Sequence, residues 1–200
     1  MGPVRAHRCL RRAGACHLKA VVRRYAKSDW LDLGLTALAE GGPAALTIDA
    51  LCQRAGKTKG SFYAHFVGVE AYLIALAEHW RERNTREIVE LTQSDGQPDA
   101  RLLLLDQMAL RLDSRVEQGM RRLAVADAAV MRVCNAVDHE RIAHLAELYR
   151  LSGRFDDQDA RSLARLEYAA FVGFQQIETG TGAAGAAESY RLFLKLIGKI

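Results

Sequence analysis

Proline is scarce in this chain of 200 residues: Pro3, Pro43 and Pro98 are the only three. Long helices are therefore permitted almost everywhere, because few positions lose an amide donor or clash with the preceding turn. Alternating strand patterns are missing as well. Apolar residues recur at three and four, the helical period, so the expected fold is all-α. The four cysteines, Cys9, Cys16, Cys52 and Cys134, show no paired framework. That excludes a disulfide-stapled scaffold and fits a reducing compartment. His7, Cys9, Cys16 and His17 match no common zinc spacing, so neither a metal nor another cofactor is expected. No apolar run approaches the roughly 18 residues that span a bilayer. The expectation is a cytoplasmic protein with no membrane partner.

Two of the stretches without acidic residues stand out. Residues 1–27 hold eight Lys/Arg and no acid, whereas the rest of the chain is close to neutral. The net charge of +4 and the pI of about 9.0 thus reside in a tail, which has the composition of an organelle transit peptide and equally that of a disordered basic arm or an extension from an upstream start codon, the two readings favoured here. The second acid-free stretch is 57–66, inside "AGKTKGSFYAHF" at 55–66. Gly56-Lys57-Thr58 looks like the end of a phosphate-binding loop. That loop needs a glycine five residues earlier, and Leu51 stands there. Without glycines the backbone amides cannot fold around a triphosphate, so a nucleotide site is excluded.

The helical period places a first helix over Ser28–Glu40, with Leu31, Leu35 and Leu38 inward and "GGP" at 41–43 as its stop. Thr47 is a good N-cap for a second helix whose Ile48, Leu51, Cys52 and Ala55 face inward. Gly56 caps its end. Two residues later Thr58 opens a short third helix with Phe62 and Phe66 on its inner side. A longer helix follows over about 70–92, and "SDGQP" at 94–98 is the best boundary. Further helices are expected at about 99–118, 120–134, 137–152, 157–179 and 186–198.

Two helices joined by a glycine-containing turn and supported by a third make a helix-turn-helix. The outer face of the short helix separates this from an ordinary helical hairpin. It is centred on Gly60 and Ala64, with Ser61 and Tyr63 beside them. A solvated helix would carry Glu, Lys and Arg there. Small residues instead let another surface come close. Lys57, Thr58, Lys59, Ser61, Tyr63 and His65 supply donors with no acid among them, which suits a polyanion and a major groove. Thr47 and the free amides at its helix start can meet a phosphate. Thr58, Lys59, Gly60 and Ser61 lie where base edges are read.

"LTIDALCQRAGKTKGSFYAHFVGVEAYL", with "WLDLGLTALAEGG" before it, resembles the DNA-binding head of the TetR family of bacterial transcriptional regulators over about residues 28–76. The resemblance rests on Thr47, Ala55-Gly56, the run Thr58 to Tyr63, and His65-Phe66. It implies an all-helical, homodimeric repressor that holds double-stranded operator DNA until a small ligand binds its C-terminal domain, with a DNA-binding activator that has no inducer as the rival reading. It departs at Val69, where the family often has a lysine; the basic tail is a possible substitute for that contact. The implied organisation is a tail at 1–27, a head at 28–76 and a ligand-binding and dimerisation body at 77–200, linked by the 70–92 helix.

The second half has no comparable motif. Its last two long helices carry Leu166, Ala169, Ala170, Gly173, Phe174 and Ile177, then Tyr190, Phe193, Leu194 and Ile197. Part of each stripe is core, and the resemblance implies that these helices also form the dimer interface. Met108, Met120, Met131, Tyr149, Tyr168 and Phe171 are the candidates to line a ligand pocket, though ordinary packing accounts for each. "GTGAAG" at 180–185 has the glycine spacing of a dinucleotide loop through Gly180, Gly182 and Gly185, but a helix precedes it where a strand is required. "DHERIAH" at 138–144 puts His139 and His144 five apart, about 140° around a helix, so they cannot share a metal. No serine or cysteine sits in a nucleophile context, and no enzyme is expected.

Overall fold

The computed structural model describes residues 25–93, 96–177 and 183–198. The basic tail up to residue 24, including His7, Cys9, Cys16 and His17, lies outside them, as do residues 94–95 of the expected boundary and Gly180 and Gly182 of "GTGAAG". Every regular element among the described residues is helical: α1 (Lys27–Gly41), a 3₁₀ turn (Pro43–Ala45), α2 (Ile48–Ala55), α3 (Lys59–Tyr63), α4 (Val69–Arg81), α5 (Glu87–Thr92), α6 (Pro98–Ala109), α7 (Ser114–Ala126), α8 (Ala128–Leu151), α9 (Asp157–Ile177) and α10 (Ala183–Leu196). None of them is long and apolar enough to cross a membrane.

α1 begins one residue before Ser28, and Ser28 is not its cap. The Asp29 carboxylate reaches back to accept the Ala26 amide at 2.7 Å, where an anion also suits the helix start. Gly42, at φ 65°, ends it. α4 does not stop at Arg81. It runs through one π-helical turn, Glu82–Arg86, into α5, so one rod from Val69 to Thr92 leads from the head into the body.

The body helices differ from the expected ones. The sequence pattern suggests breaks near Gly119 and residues 135–136, whereas the chain turns at 110–113 and at Asp127. The reasons are local. Asp113 caps α7 by accepting the Arg115 amide, and Asp127 caps α8 by accepting the amides of Ala129 and Val130. Gly119 lies inside α7 as a point of close approach: a Cβ there would sit 2.6 Å from Leu38 Cγ of α1. α10 begins at Ala183, so Gly185 belongs to a helix and not to a loop.

Head and body share one core. Trp30, Leu38, Leu51, Phe62, Tyr72 and Trp80 of the head are continuous with Met120, Val130 and Val137 of α7 and α8. α1 packs on α7 and α4 on α8, and an Arg81–Glu140 ion pair ties α4 to α8. Two smaller clusters hold the far end. One gathers Leu102, Leu145, Leu148 and Ala164, the other Tyr168, Phe171, Tyr190 and Leu194.

Candidate nucleic-acid interface and body cavity

α2 and α3 are set by their caps. Thr47 Oγ1 accepts the Ala50 amide at 3.2 Å, and Thr58 Oγ1 accepts the Ser61 amide at 3.3 Å. Both hydroxyls retain their own proton for an outside acceptor. Between the helices Gly56 takes the left-handed conformation, φ 60° and ψ 36°, with its amide turned back to Cys52 and Gln53. α3 is bolted inward by Phe62, fully buried edge-on to Trp30 with ring centroids 5.3 Å apart, and by Phe66 against Tyr72. Tyr72 donates to the Trp30 carbonyl at 3.0 Å, and its hydroxyl lies against Gly34, where no Cβ fits.

That anchoring turns the other face out. Gly60 and Ala64 are both exposed, and a Cβ added at Gly60 meets nothing nearer than Thr58 Oγ1 at 3.7 Å. Tyr63 is 53% exposed. Thr47, Thr58 and Lys59 are exposed on the same end of the molecule, and Ser61 is half-buried.

Three of the predicted contact residues have partners within the chain. The half-buried His65 places Nε2 3.0 Å from the Tyr25 carbonyl. A carbonyl only accepts, so Nε2 carries the proton, and a neutral His65 has no second N–H to offer a phosphate. Lys57 Nζ lies 5.6 Å above the Tyr25 ring. These contacts pin the chain just after the basic tail against the end of α3. Lys59 pairs with Asp49 of α2 at 2.7 Å. The 57–66 stretch is free of acids, yet its neighbour in space is not. Asp49 lies eleven residues before Gly60, and the packing of α2 on α3 supplies a contact that reading along the chain misses. At the start of α4, Val69 is 38% exposed and Glu70 is exposed.

Residues 31–76 match the family model described as bacterial regulatory proteins, tetR family. The chain carries a TetR-family head. No curated protein matches the chain in sequence. Solved structures of TetR-type regulators resemble the fold well beyond the head. A putative transcriptional regulator from Saccharomonospora viridis, in complex with choline, superposes with a TM-score of 0.71 at 16% identity, covering 84% of this chain and 95% of that one. The reduced form of E. coli NemR gives 0.71 at 19%, covering 86% and 96%. A TetR transcription regulator from Haloarcula marismortui gives 0.71 at 21%, covering 85% and 96%. At these identities the likeness establishes the fold, that of TetR-family transcriptional regulators.

Behind the TetR-type head, the body holds a cavity of about 60 Å³ among α5, α6, α8, α9, α10 and the π-helical turn. Of the six sequence candidates, Tyr168 and Phe171 line it. Tyr149 is buried beside it and donates its hydroxyl to the lining residue Glu167. Met120 is buried in the head core, Met108 is half-buried outside the lining, and Met131 is 38% exposed. Periodicity cannot tell which of several inward apolar residues surround a void. The polar lining was missed altogether: Asn84, Asp106, Arg141, His144 and Glu167. Buried ionisable residues on otherwise amphipathic helices were the available signal.

Arg141 is the most engaged of these. It donates to Thr85 Oγ1 at 3.0 Å, to Glu117 at 3.0 Å, to the Asn84 carbonyl at 3.3 Å and to the Tyr168 hydroxyl at 3.3 Å. Arg121 pairs with Glu117 and Asp138, both at 2.8 Å. Two arginines and two carboxylates thus balance in one cluster, which offsets the cost of burying them. His144 donates to Thr92 Oγ1 at 2.7 Å, because the threonine hydroxyl proton goes to the Ile88 carbonyl. Burial above all, and then Arg101, pushes the His144 imidazole below its usual pKa. His139 is exposed on the opposite side of α8, so the pair in "DHERIAH" is divided between surface and interior.

The predicted interface residues divide as well. Leu166 and Ile177 are 64% and 79% exposed, and Ala170, Gly173, Phe174, Phe193 and Ile197 are half-buried. Tyr190 and Leu194, four apart, are instead buried against Tyr168 and Phe171 in their own subunit. Among the described side chains of α10, Leu192 and Leu196 turn outward, 57% and 77% exposed.

Proposed function

We infer that the protein is a homodimeric transcriptional regulator that grips operator DNA through α3 and its caps and releases it when a small molecule enters the body cavity. The observation that carries this reading is the outward face of α3. Gly60 and Ala64 leave no bulk on it, Tyr63 stands at its edge, and Phe62 and Phe66 hold it from behind. Such a tip fits a major groove, with backbone amides and hydroxyls left to meet phosphates. One short helix reads few bases. Two copies with tips roughly 34–36 Å apart read two half-sites, and the exposed Leu166, Ile177, Leu192 and Leu196 offer the apolar faces for pairing. The basic residues before Tyr25, whose exit is pinned beside α3, add phosphate contacts. The choline bound by the Saccharomonospora regulator supports a body that takes small molecules, and repression relieved by a ligand is the mode this reading favours. The site of action in this reading is the cytoplasm, where DNA and reduced thiols coexist.

The test is selection of genomic fragments by the purified chain, followed by titration of the recovered site at several salt concentrations. Affinity should fall steeply with salt, by roughly 0.9 log units per log unit for each phosphate neutralised. Tyr63→Phe should weaken binding by about 0.5–1.5 kcal/mol, one hydrogen bond, at an unchanged melting temperature. A salt-insensitive protein that retains no fragment would end the proposal.

A further inference from the structure

We propose that Asp49 makes Lys59 a reader of guanine: by holding the ammonium, its carboxylate keeps Lys59 from clamping the phosphates of any sequence and leaves it two donors for the N7 and O6 of one guanine in each half-site. The inference rests on the preceding reading of α3 as the helix that meets DNA and adds the residue that sets its selectivity.

Asp49 is the only acid between Glu40 and Glu70. It stands in the first turn of α2. The cap of that helix does not depend on it, since Thr47 Oγ1 accepts the Ala50 amide. Its side chain and that of Lys59 are both largely exposed, and the two meet at 2.7 Å across the helix-turn-helix. The other cations of the unit are engaged elsewhere. Arg54 pairs with Glu40 at 2.6 Å, and Lys57 lies over the Tyr25 ring. Lys59 opens α3, where base edges are read, and its partner decides what it can grip.

A lysine ammonium has three N–H donors and no acceptor. One donor goes to Asp49, and two remain. A backbone phosphate brings a second negative charge against the carboxylate, so exchanging Asp49 for a phosphate gains little. The repulsion is the same for every sequence, and it subtracts from the grip that cations give on DNA at large. A guanine edge is different. It is uncharged and presents N7 and O6 side by side as acceptors. It can take both remaining donors while Asp49 keeps the third, and no like charges are brought together. The N4 amino group of the paired cytosine, next to O6, is a donor that the carboxylate tolerates. Thymine offers a single acceptor, and adenine and cytosine turn an amino donor towards the ammonium.

The test uses the full chain, the operator recovered by genomic selection, and a duplex of the same composition with scrambled half-sites. Both side chains are exposed, so substitutions there should leave the melting temperature unchanged. Asp49→Asn should tighten binding to the scrambled duplex by at least about threefold, the weight of one phosphate contact over a fourfold change of salt. Binding to the operator should tighten by less, so the ratio of the two affinities falls, and Asp49→Glu should preserve that ratio. Operator guanines replaced one at a time by 7-deazaguanine, which lacks the N7 acceptor, should reveal one position in each half-site that costs at least about fivefold, the lower end for a specific base contact. Lys59→Ala should bind the altered and unaltered operators alike. An equal or larger gain on the operator in Asp49→Asn would overturn the proposal. So would an operator with no guanine sensitive to loss of N7, or a sensitivity that survives in Lys59→Ala. Selective operator binding with a ratio that Asp49→Asn leaves unchanged removes the selectivity of Asp49 alone, whereas a chain that retains neither duplex at any salt removes the regulator reading.

Discussion

A methyl group added at Gly60 makes only an ordinary contact, with Thr58 Oγ1 at 3.7 Å, whereas one added at Gly119 would sit 2.6 Å from Leu38 Cγ. The two glycines therefore predict opposite outcomes. Gly60→Leu should leave the melting temperature unchanged or slightly raised, since leucine favours helices, and should abolish tight DNA binding by filling the approach surface. Gly119→Ala should leave the tip intact and cost about 1–3 kcal/mol of stability through overpacking, read from chemical denaturation. Asp49 makes a third case. Its carboxylate is 77% exposed and holds the Lys59 ammonium at 2.7 Å. An exposed pair of this kind contributes little stability, but it places an anion beside the tip. Asp49→Asn should tighten DNA binding and steepen its log–log salt slope by about 0.9, as Lys59 turns to phosphate. Fluorescence anisotropy at several salt concentrations reads both.

At the scale of elements, the contact between α5 and α8 is the one that senses acid. His144 is buried, with its Nε2–H donated to the Thr92 hydroxyl oxygen, and its pKa is held below the ordinary 6.5 by burial and by Arg101, against a smaller opposing effect of Glu147. Unfolding releases the imidazole to its ordinary value, so the unfolded chain binds the extra proton first. The contribution is complete above pH 6.5 and declines as pH falls through it towards the lower folded value, by at most about 1.4 kcal/mol per unit. The melting temperature should therefore drop between pH 7.5 and 5.5, and His144→Gln should remove much of that slope. The same region houses the π-helical turn. Arg141 holds Asn84 and Thr85 of that turn while lining the cavity, and Arg83 beside them pairs with Asp32 of α1 at 2.6 Å. A ligand that shifts Arg141 thus has a short route of contacts to the head.

For the whole molecule, the shared core means that head and body move as packed partners, because α1 rests on α7 and α4 on α8. In the proposed dimer, two copies pair through the outer faces of α9 and α10. Leu166 and Ile177 are eleven residues apart, close to three helical turns, and so lie on one face. Leu166→Glu with Ile177→Glu should halve the mass seen by light scattering and lower DNA affinity steeply, with little loss of subunit stability, since both side chains are exposed. An unchanged mass at micromolar concentration, whether of two chains or one, would show that these faces do not hold the dimer.

α2 and α3 were legible because their determinants are local. Thr47, Gly56 and Thr58 set the two helices through caps within three residues, and Phe62 and Phe66 lie on one side of α3 by helical spacing alone. Tertiary structure decided what depends on distant neighbours. It put Asp49 against Lys59 and Tyr25 against His65, and Leu38 against Gly119 where a break was expected. It also drew Asp106, Arg141, His144 and Glu167 from three helices around one cavity. Periodicity reports which face of a helix turns inward. Which residues meet there, and whether they leave a space, depends on how the helices cross.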